Sequence, residues 1–533
     1  MNTKNTKVNI PDWIFNPGLD SGDRTGGFTS PATKPNESDV EILIREAIQN
    51  SKDKITSNTN ILNFNIRFYE LTNKNKENFL KKIKWSSLHQ HIYNASNESS
   101  NLKENNILKE GLKNINSKTK PLRILVLEDN ICKGLTGDDE DENGNFNLLT
   151  KTDYVTPETS KRGGSYGVGK TKILNCSSIR TLLFSSIPID NEKRKQNKKD
   201  VRLFGRCILP TQKINNKTFH SAGYFGLSDK DNKKAISFYD TNLSKDILVE
   251  RDLSTTGTTI AVVGFHEPKH SSTNRSIGTI IEDLDHAIQK NYWPILREGL
   301  PNNVKLNVRI EHYVNGEIQK NNSRLIDDIT KKDFENFSKA LINQNNQKNV
   351  STPISSTVVK IPFQIPERVK SGPGIAKHKS FKTELELCIY RSDLTMMHSK
   401  FKNMCAFIRG FGMVVKYETT KRKPIDPLPF FAVLKVGNAK SDTEADLNDA
   451  EEDFFRLIEP ELHNDWVTTD NYQQNFDKKI SPNTLIEKLK YDISEKIYEL
   501  CGFEVSENKN GPQPLSKKLA IGKGSSGKKE RGG

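Results

Sequence analysis

The chain has 533 residues, room for two to four domains at roughly 150 residues each, which excludes a single small stapled fold. Hydrophobic residues make up only 34%, because Asn and Lys crowd runs such as 101–118, so polar insertions around ordinary cores are expected. Lysine and arginine number 81 against 67 acidic residues, and the net charge of +14 favours polyanions such as DNA through non-specific phosphate contacts.

The six cysteines (Cys132, Cys176, Cys207, Cys388, Cys405, Cys501) show no CxxC spacing, which argues against a zinc site or a disulfide framework and for a reducing compartment. No run of 18 apolar residues occurs, and the start MNTKNTKVNIPDW has no apolar signal core. A cytoplasmic protein without a membrane partner is expected.

In chain order, residues 1–36 are rich in Pro and Gly and predict a flexible arm outside the core, with Trp13, Ile14 and Phe15 as its anchor. Ser38 followed by Glu41 forms a capping box for the helix DVEILIREAIQNSKDK. A strand is predicted at 65–70, helices at 76–93 and 102–115, and the apolar strand LRILVLED at 122–129. Residues 138–164 are expected to form a long mobile loop. A short helix (168–177) and strands at 179–186, 201–209, 220–226 and 258–265 complete an α/β unit over 37–270. A helix at 280–297 and strands at 304–313, 357–363, 382–391, 405–409 and 412–418 predict a second α/β unit over 275–437. A helical region (438–510) and a disordered basic tail (511–533) follow.

Four blocks carry chemistry. Glu46, Asn50 and Asp53 fall at i, i+4 and i+7 and share one face of the first helix; taken alone, that stripe is the solvated side of an amphipathic helix. The strand at 122–129 ends in Glu128-Asp129-Asn130 and enters a turn holding Gly134 and Gly137. In GGSYGVGKT, Gly164, Gly167 and Gly169 allow tight folding, and their amides with Lys170 at a helix N-terminus suit phosphate. Gly257 and Thr258 open the last strand of the unit.

In order and spacing these blocks resemble the ATP-binding motifs of the GHKL superfamily (gyrase, Hsp-type chaperones, histidine kinases, MutL), most like MutL and MORC proteins. The resemblance covers about 37–265 and implies an α+β sandwich with a Bergerat-type ATP-binding domain, a transducer-like α/β domain and a helical C-terminal region. It implies ATP and Mg2+ as ligands. Within the E-x-x-x-N-x-x-D helix, Glu46 would polarise the attacking water and Asn50 would hold the magnesium, with Asp53 completing the motif. Asp129 would bind the adenine amino group, Gly164, Gly167, Val168, Gly169 and Lys170 would form the lid, and Thr258 beside Gly257 would support adenine through a water. One departure stands out: the D-x-G-x-G turn reads Asp129-Asn130-Ile131-Cys132-Lys133-Gly134, without its first glycine and longer by one residue, so Gly134 and Gly137 are expected to take the tight-turn role.

Residues 164–171 also satisfy the P-loop pattern, but the polar stretch before them lacks the buried strand that a P-loop requires. Asp139, Asp141, Asn143 and Gly144 fit half of a calcium loop, whose twelfth position is Thr150 instead of Glu; a charged lid is the simpler account. His463 has no partnered Cys or Ser motif and reads as a packing residue.

Residues 405–424, CAFIRGFGMVVKYETTKRKP, resemble the strand-turn-strand and lysine-bearing loop of the transducer, with Lys421 and Lys423 the first candidates for a lysine reaching the γ-phosphate and Lys416 behind them, since strand alternation also makes it a plain exposed strand residue. The family's range implies an ATPase that dimerises when ATP is bound, in bacterial DNA transactions or anti-phage defence, with a partner effector such as a nuclease. The alternatives are an Hsp-type chaperone, for which some 100 residues after 437 are short, and a non-hydrolysing DNA-clamping protein.

Overall fold

A computed structural model describes residues 10–17, 38–56, 59–98, 102–152, 172–189, 200–229, 234–268, 275–297, 304–342, 356–371, 375–391, 399–410, 412–420, 429–440, 445–460 and 464–501. The described residues form a mixed α/β structure with two sheets.

The chain opens with strand β1 (Asp12–Pro17) and helix α1 (Asp39–Lys52), followed by β2 (Ile61–Leu71). Three helices, α2 (Asn73–Lys82), α3 (Trp85–Glu98) and α4 (Leu102–Asn116), lead to β3 (Leu122–Asn130) and the short α5 (Asn145–Thr150). Strands β4 (Ser177–Ile187), β5 (Arg202–Ile208), β6 (Gln212–Ile214), β7 (Lys217–Ser228), β8 (Ala235–Ile236) and β9 (Phe238–Tyr239) precede α6 (Thr241–Asp246), β10 (Gly257–Phe265) and α7 (Ile277–Leu296). Strands β11 (Lys305–Val314), β12 (Glu317–Ile318) and β13 (Arg324–Ile326) end the first sheet.

That sheet has 13 strands with the main order β1-β7-β5-β4-β10-β3-β2-β11-β12. β11 runs parallel to β2 in the register Lys305↔Ile61, and the other pairs along this order are antiparallel. The sheet has helices on both faces. Leu62, Phe64, Ile66 and Phe68 of β2 point to the side of α1 and α7, whereas Ile124 and Val126 of β3 point to the side of α2–α4.

Helix α1 starts where the sequence predicts. Ser38 Oγ accepts from Glu41 N at 3.0 Å, and the Glu41 carboxylate accepts from Lys290 of α7 at 2.8 Å, so the cap also ties two helices together. Val40, Leu43, Ile44 and Ile48 are buried. Tyr292 of α7 donates its hydroxyl to Arg45 O at 2.5 Å.

The second sheet holds β14 (Ser356–Ile365), β15 (Phe381–Arg391), β16 (Met404–Arg409), β17 (Met413–Thr419) and β18 (Phe430–Lys435), in the order β14-β15-β18-β16-β17. Helix α8 (Lys332–Ile342) precedes it, and α9 (Ala445–Leu457), α10 (Asp470–Asn475) and α11 (Pro482–Cys501) follow. One apolar cluster runs from α1 through α7 into this sheet, where Tyr417 donates to Lys290 O at 2.6 Å. Buried ion pairs such as Lys440–Glu451 (2.9 Å) fasten α9 to the sheet.

Several expectations change. Residues 12–17 are not an arm outside the core: β1 pairs with β7, Trp13 and Phe15 are buried, and Trp13 Nε1 donates to Ile83 O at 2.8 Å. The helix expected at 76–93 is two helices, because Lys84 takes φ +55. Strand β11, expected in the second unit, extends the first sheet, since its alternating Leu306, Val308 and Ile310 bury on the face shared with α1. Residues 138–152 of the expected loop contain α5 and are held by Asp139, which accepts from Ser237 Oγ at 2.6 Å and pairs with Lys151 at 2.9 Å. Lys416 is not exposed: its side chain is 8% accessible and meets Asp465 at 2.7 Å.

Candidate functional site

Helix α1 presents Ala47, Asn50 and Ser51 to a cleft between it and the first sheet. Phe64 of β2, Leu127 and Asp129 of β3, and Thr258 and Ile260 of β10 form the opposite wall. Cys132, Gly134 and Leu135 close one side, with Asn145 and Leu149 of α5 and Ile173 beyond them. The open space, mouth included, is about 820 Å3, and a mostly apolar lining with a few convergent polar groups is what small-molecule sites have.

Asp129 is the best-held of those polar groups. Its Oδ1 accepts from the Thr258 amide at 2.7 Å and its Oδ2 from Ser51 Oγ at 2.9 Å. Each carboxylate oxygen keeps a second lone pair, so the group can still accept from a ligand. Burial pushes this carboxyl above its ordinary value, opposed by the Arg251 guanidinium and by the two hydrogen bonds.

The turn after Asp129 has no glycine where the resemblance to the GHKL motifs predicts one, and its backbone is built around that position. Ile131, at that glycine's position, takes φ +63, a conformation that a β-branched residue adopts only under constraint. Its amide donates to Thr256 O at 2.8 Å, and its carbonyl accepts from Thr56 N at 3.1 Å. Gly134 (φ +68) then turns the chain where a Cβ would lie 2.7 Å from Ile187 O. Ser186 Oγ donates to Gly257 O and accepts from Leu135 N, each at 2.8 Å, which locks the turn to β4 and β10.

Arg251 escapes motif reasoning because it belongs to no recognised block. It is buried, and its guanidinium donates to Thr259 Oγ1 and to Asp129 O, both at 2.8 Å. Gly257 makes room for it: a Cβ there would stand 2.4 Å from Arg251 Nη2 and 2.4 Å from Asp129 O. An arginine a few residues before a Gly-Thr strand start was the available signal.

The structure therefore gathers Asn50, Asp129, Gly134 and Thr258 around one cleft. Glu46 lies one turn before Asn50, 1% exposed and not on the cleft wall, near the Tyr292 hydroxyl. Asp53 caps the C-terminus of α1, is exposed, and does not reach the wall. Gly137 (φ +85) is off the wall as well and starts the segment that carries α5. Gly164, Gly167, Val168, Gly169, Lys170, Lys421, Lys423 and His463 lie outside the described residues.

Among the described residues no group of three or more His, Cys, Asp or Glu could hold a metal ion. Asn50 offers one neutral oxygen at the cleft, a donor set that suits only a cation completed by ligand phosphates and water. No family model matches the chain, and none of the curated proteins does.

Proposed function

We propose that the chain is a Mg2+-dependent GHKL-type ATPase with a Bergerat-like nucleotide site, acting as an ATP-gated conformational and dimerisation switch. The observation that carries the proposal is the convergence of Asn50, Asp129, Gly134 and Thr258 on one cleft, although up to 208 positions separate them in sequence. The second sheet is packed on α1 through α7, which supports coupling between the cleft and the rest of the chain.

In this proposal Asp129 accepts from the adenine amino group, and the Ser51 hydroxyl and Thr258 amide hold its two oxygens in place. The apolar wall, Phe64, Leu127 and Ile260 among it, excludes water from the base. Asn50 would hold Mg2+, which supplies charge neutralisation at the phosphates when bound. Glu46, buried one turn before Asn50 and off the cleft wall, would accept the proton of the attacking water once closure of the occupied site brings that water within its reach.

Binding energy is then used to change conformation, and turnover is slow. Size-exclusion chromatography with Mg2+ and a non-hydrolysable ATP analogue tests the switch: the account expects a dimer with the analogue and a smaller species without it. An elution volume unchanged by the analogue contradicts the switch. Partners such as DNA or a nuclease effector, and action in phage defence, belong to the same proposal and rest on the family resemblance and the net charge of +14.

A further inference from the structure

We infer that Arg251 is a positioning residue for the base acceptor, a clamp that takes over in this chain the work of the glycine missing from the turn after Asp129. The inference rests on the nucleotide reading of the cleft. Three observations carry it. Ile131 occupies the glycine position with φ +63, a backbone state that costs a β-branched residue free energy and persists only where neighbours over-determine it. Arg251 Nη2 holds the carbonyl of Asp129 at 2.8 Å, two residues before the strained position, while Nη1 is anchored on Thr259 Oγ1 at 2.8 Å across β10. The passage for the guanidinium exists only because Gly257 has no Cβ, which would stand 2.4 Å from Nη2.

A buried guanidinium is an expensive way to hold a backbone carbonyl and a hydroxyl, since the charge must be taken out of water. A second role balances it. The groups facing the Asp129 carboxyl are the Arg251 charge, the Thr258 amide, the Ser51 hydroxyl and, on the neighbouring residue, the Glu128 carboxylate, itself paired with Arg67. Cys132 also stands close, with its thiol pushed above its ordinary range by burial and by Asp129. Lys54, just past the end of α1, stands on the same cleft, and Arg251 is the cation that acts most strongly on Asp129, favouring the ionised acceptor against burial. Arg251 does not line the cleft, so it acts through Asp129 and touches no ligand.

The test compares wild type, Arg251→Lys, Arg251→Met, Ile131→Gly and the double variant Ile131→Gly/Arg251→Met. ATP binding is measured by calorimetry between pH 5 and 9, with thermal melting as the check on folding. Arg251→Met is expected to bind ATP roughly ten- to hundredfold more weakly at pH 7, the range for losing a charge-assisted buried hydrogen bond. Its binding should fall away at higher pH than the wild type's as the solution is acidified, because Asp129 then protonates more easily. Arg251→Lys should lose less. Ile131→Gly, by relieving the turn, should recover part of the loss in the double variant.

A structural role alone would lower the melting point without moving the acid limb of binding and without rescue by Ile131→Gly. If Arg251→Met does not fold, Arg251→Lys with and without Ile131→Gly carries the same comparison. Wild-type affinity within twofold in the folded Arg251 variant, or a loss that Ile131→Gly leaves intact, overturns the inference while the nucleotide reading stands. Absence of ATP binding by the wild-type chain overturns both.

Discussion

Ser51 Oγ donates to Asp129 Oδ2 at 2.9 Å, joining the last turn of the helix that carries Glu46 and Asn50 to the end of the strand that carries the proposed base acceptor. The two residues are 78 positions apart. One hydrogen bond thus links the proposed base end of the cleft to its proposed phosphate end, so that in this account base recognition and the placement of Asn50 depend on the same helix turn.

Asp129→Asn should weaken ATP binding by about 1–3 kcal/mol, since an amide turns an NH2 group toward the Ser51 or Thr258 donor, or toward the base amino group. Folding should suffer far less. Calorimetry on the two forms measures this, and equal affinities would show that the base binds elsewhere.

Gly134→Ala should destabilise the chain by roughly 2 kcal/mol or more. The residue has φ +68, and the new Cβ would meet the Ile187 carbonyl at 2.7 Å and Pro188 Cα at 2.9 Å, both backbone atoms that cannot swing aside. Denaturant unfolding of the purified variant provides the measurement; an unchanged midpoint would mean that the turn is built differently.

Strand β1 should be acid-sensitive. Phe15 stacks on His91 with ring centroids 3.8 Å apart, and burial pushes the His91 ring down from 6.5 to about 4. Above pH 6.5 neither state carries the proton, and this contribution is fully present. Below it the unfolded chain takes up a proton that the folded chain resists until about pH 4, so stability falls across that window. His266, pushed to about 4 by burial, adds a fall of the same sign. His91→Phe keeps a ring against Phe15 and should show a smaller drop in melting temperature between pH 7 and 4.5 than the wild type. An identical drop would show that His91 does not titrate in this way.

The elements of longest period were legible in the residues. Ser38, Glu41 and the spacing of Val40, Leu43, Ile44 and Ile48 specify α1 by local chemistry alone, and Leu122–Asn130 is apolar enough to be read as a buried strand. What could not be read locally depends on partners far along the chain. Trp13 and Phe15 make only two buried positions among prolines and glycines, and their strand exists because β7 lies beside them some 200 residues later. Lys84 breaks a helical pattern through a positive φ that no glycine announces. At the cleft, Asp129 and Thr258 stand out as a strand end and a Gly-Thr pair, whereas Ser51 and Arg251 gain meaning only when β3, β10 and α1 meet. The absent glycine is visible in sequence, but its substitute conformation at Ile131 is not.

The most direct test of the central claim is ATP binding and phosphate release measured side by side on the wild-type chain and on Glu46→Ala with Mg2+. Glu46 is buried off the cleft wall, and the hydrogen bonds that hold Asp129 come from Ser51 and Thr258, so removing Glu46 takes away the proposed base while leaving those base-binding contacts in place. The account predicts that the wild type binds and slowly hydrolyses ATP, and that the variant binds with similar affinity and releases no phosphate above background. Hydrolysis by the variant at the wild-type rate, or a wild-type chain that does not bind ATP, would contradict it.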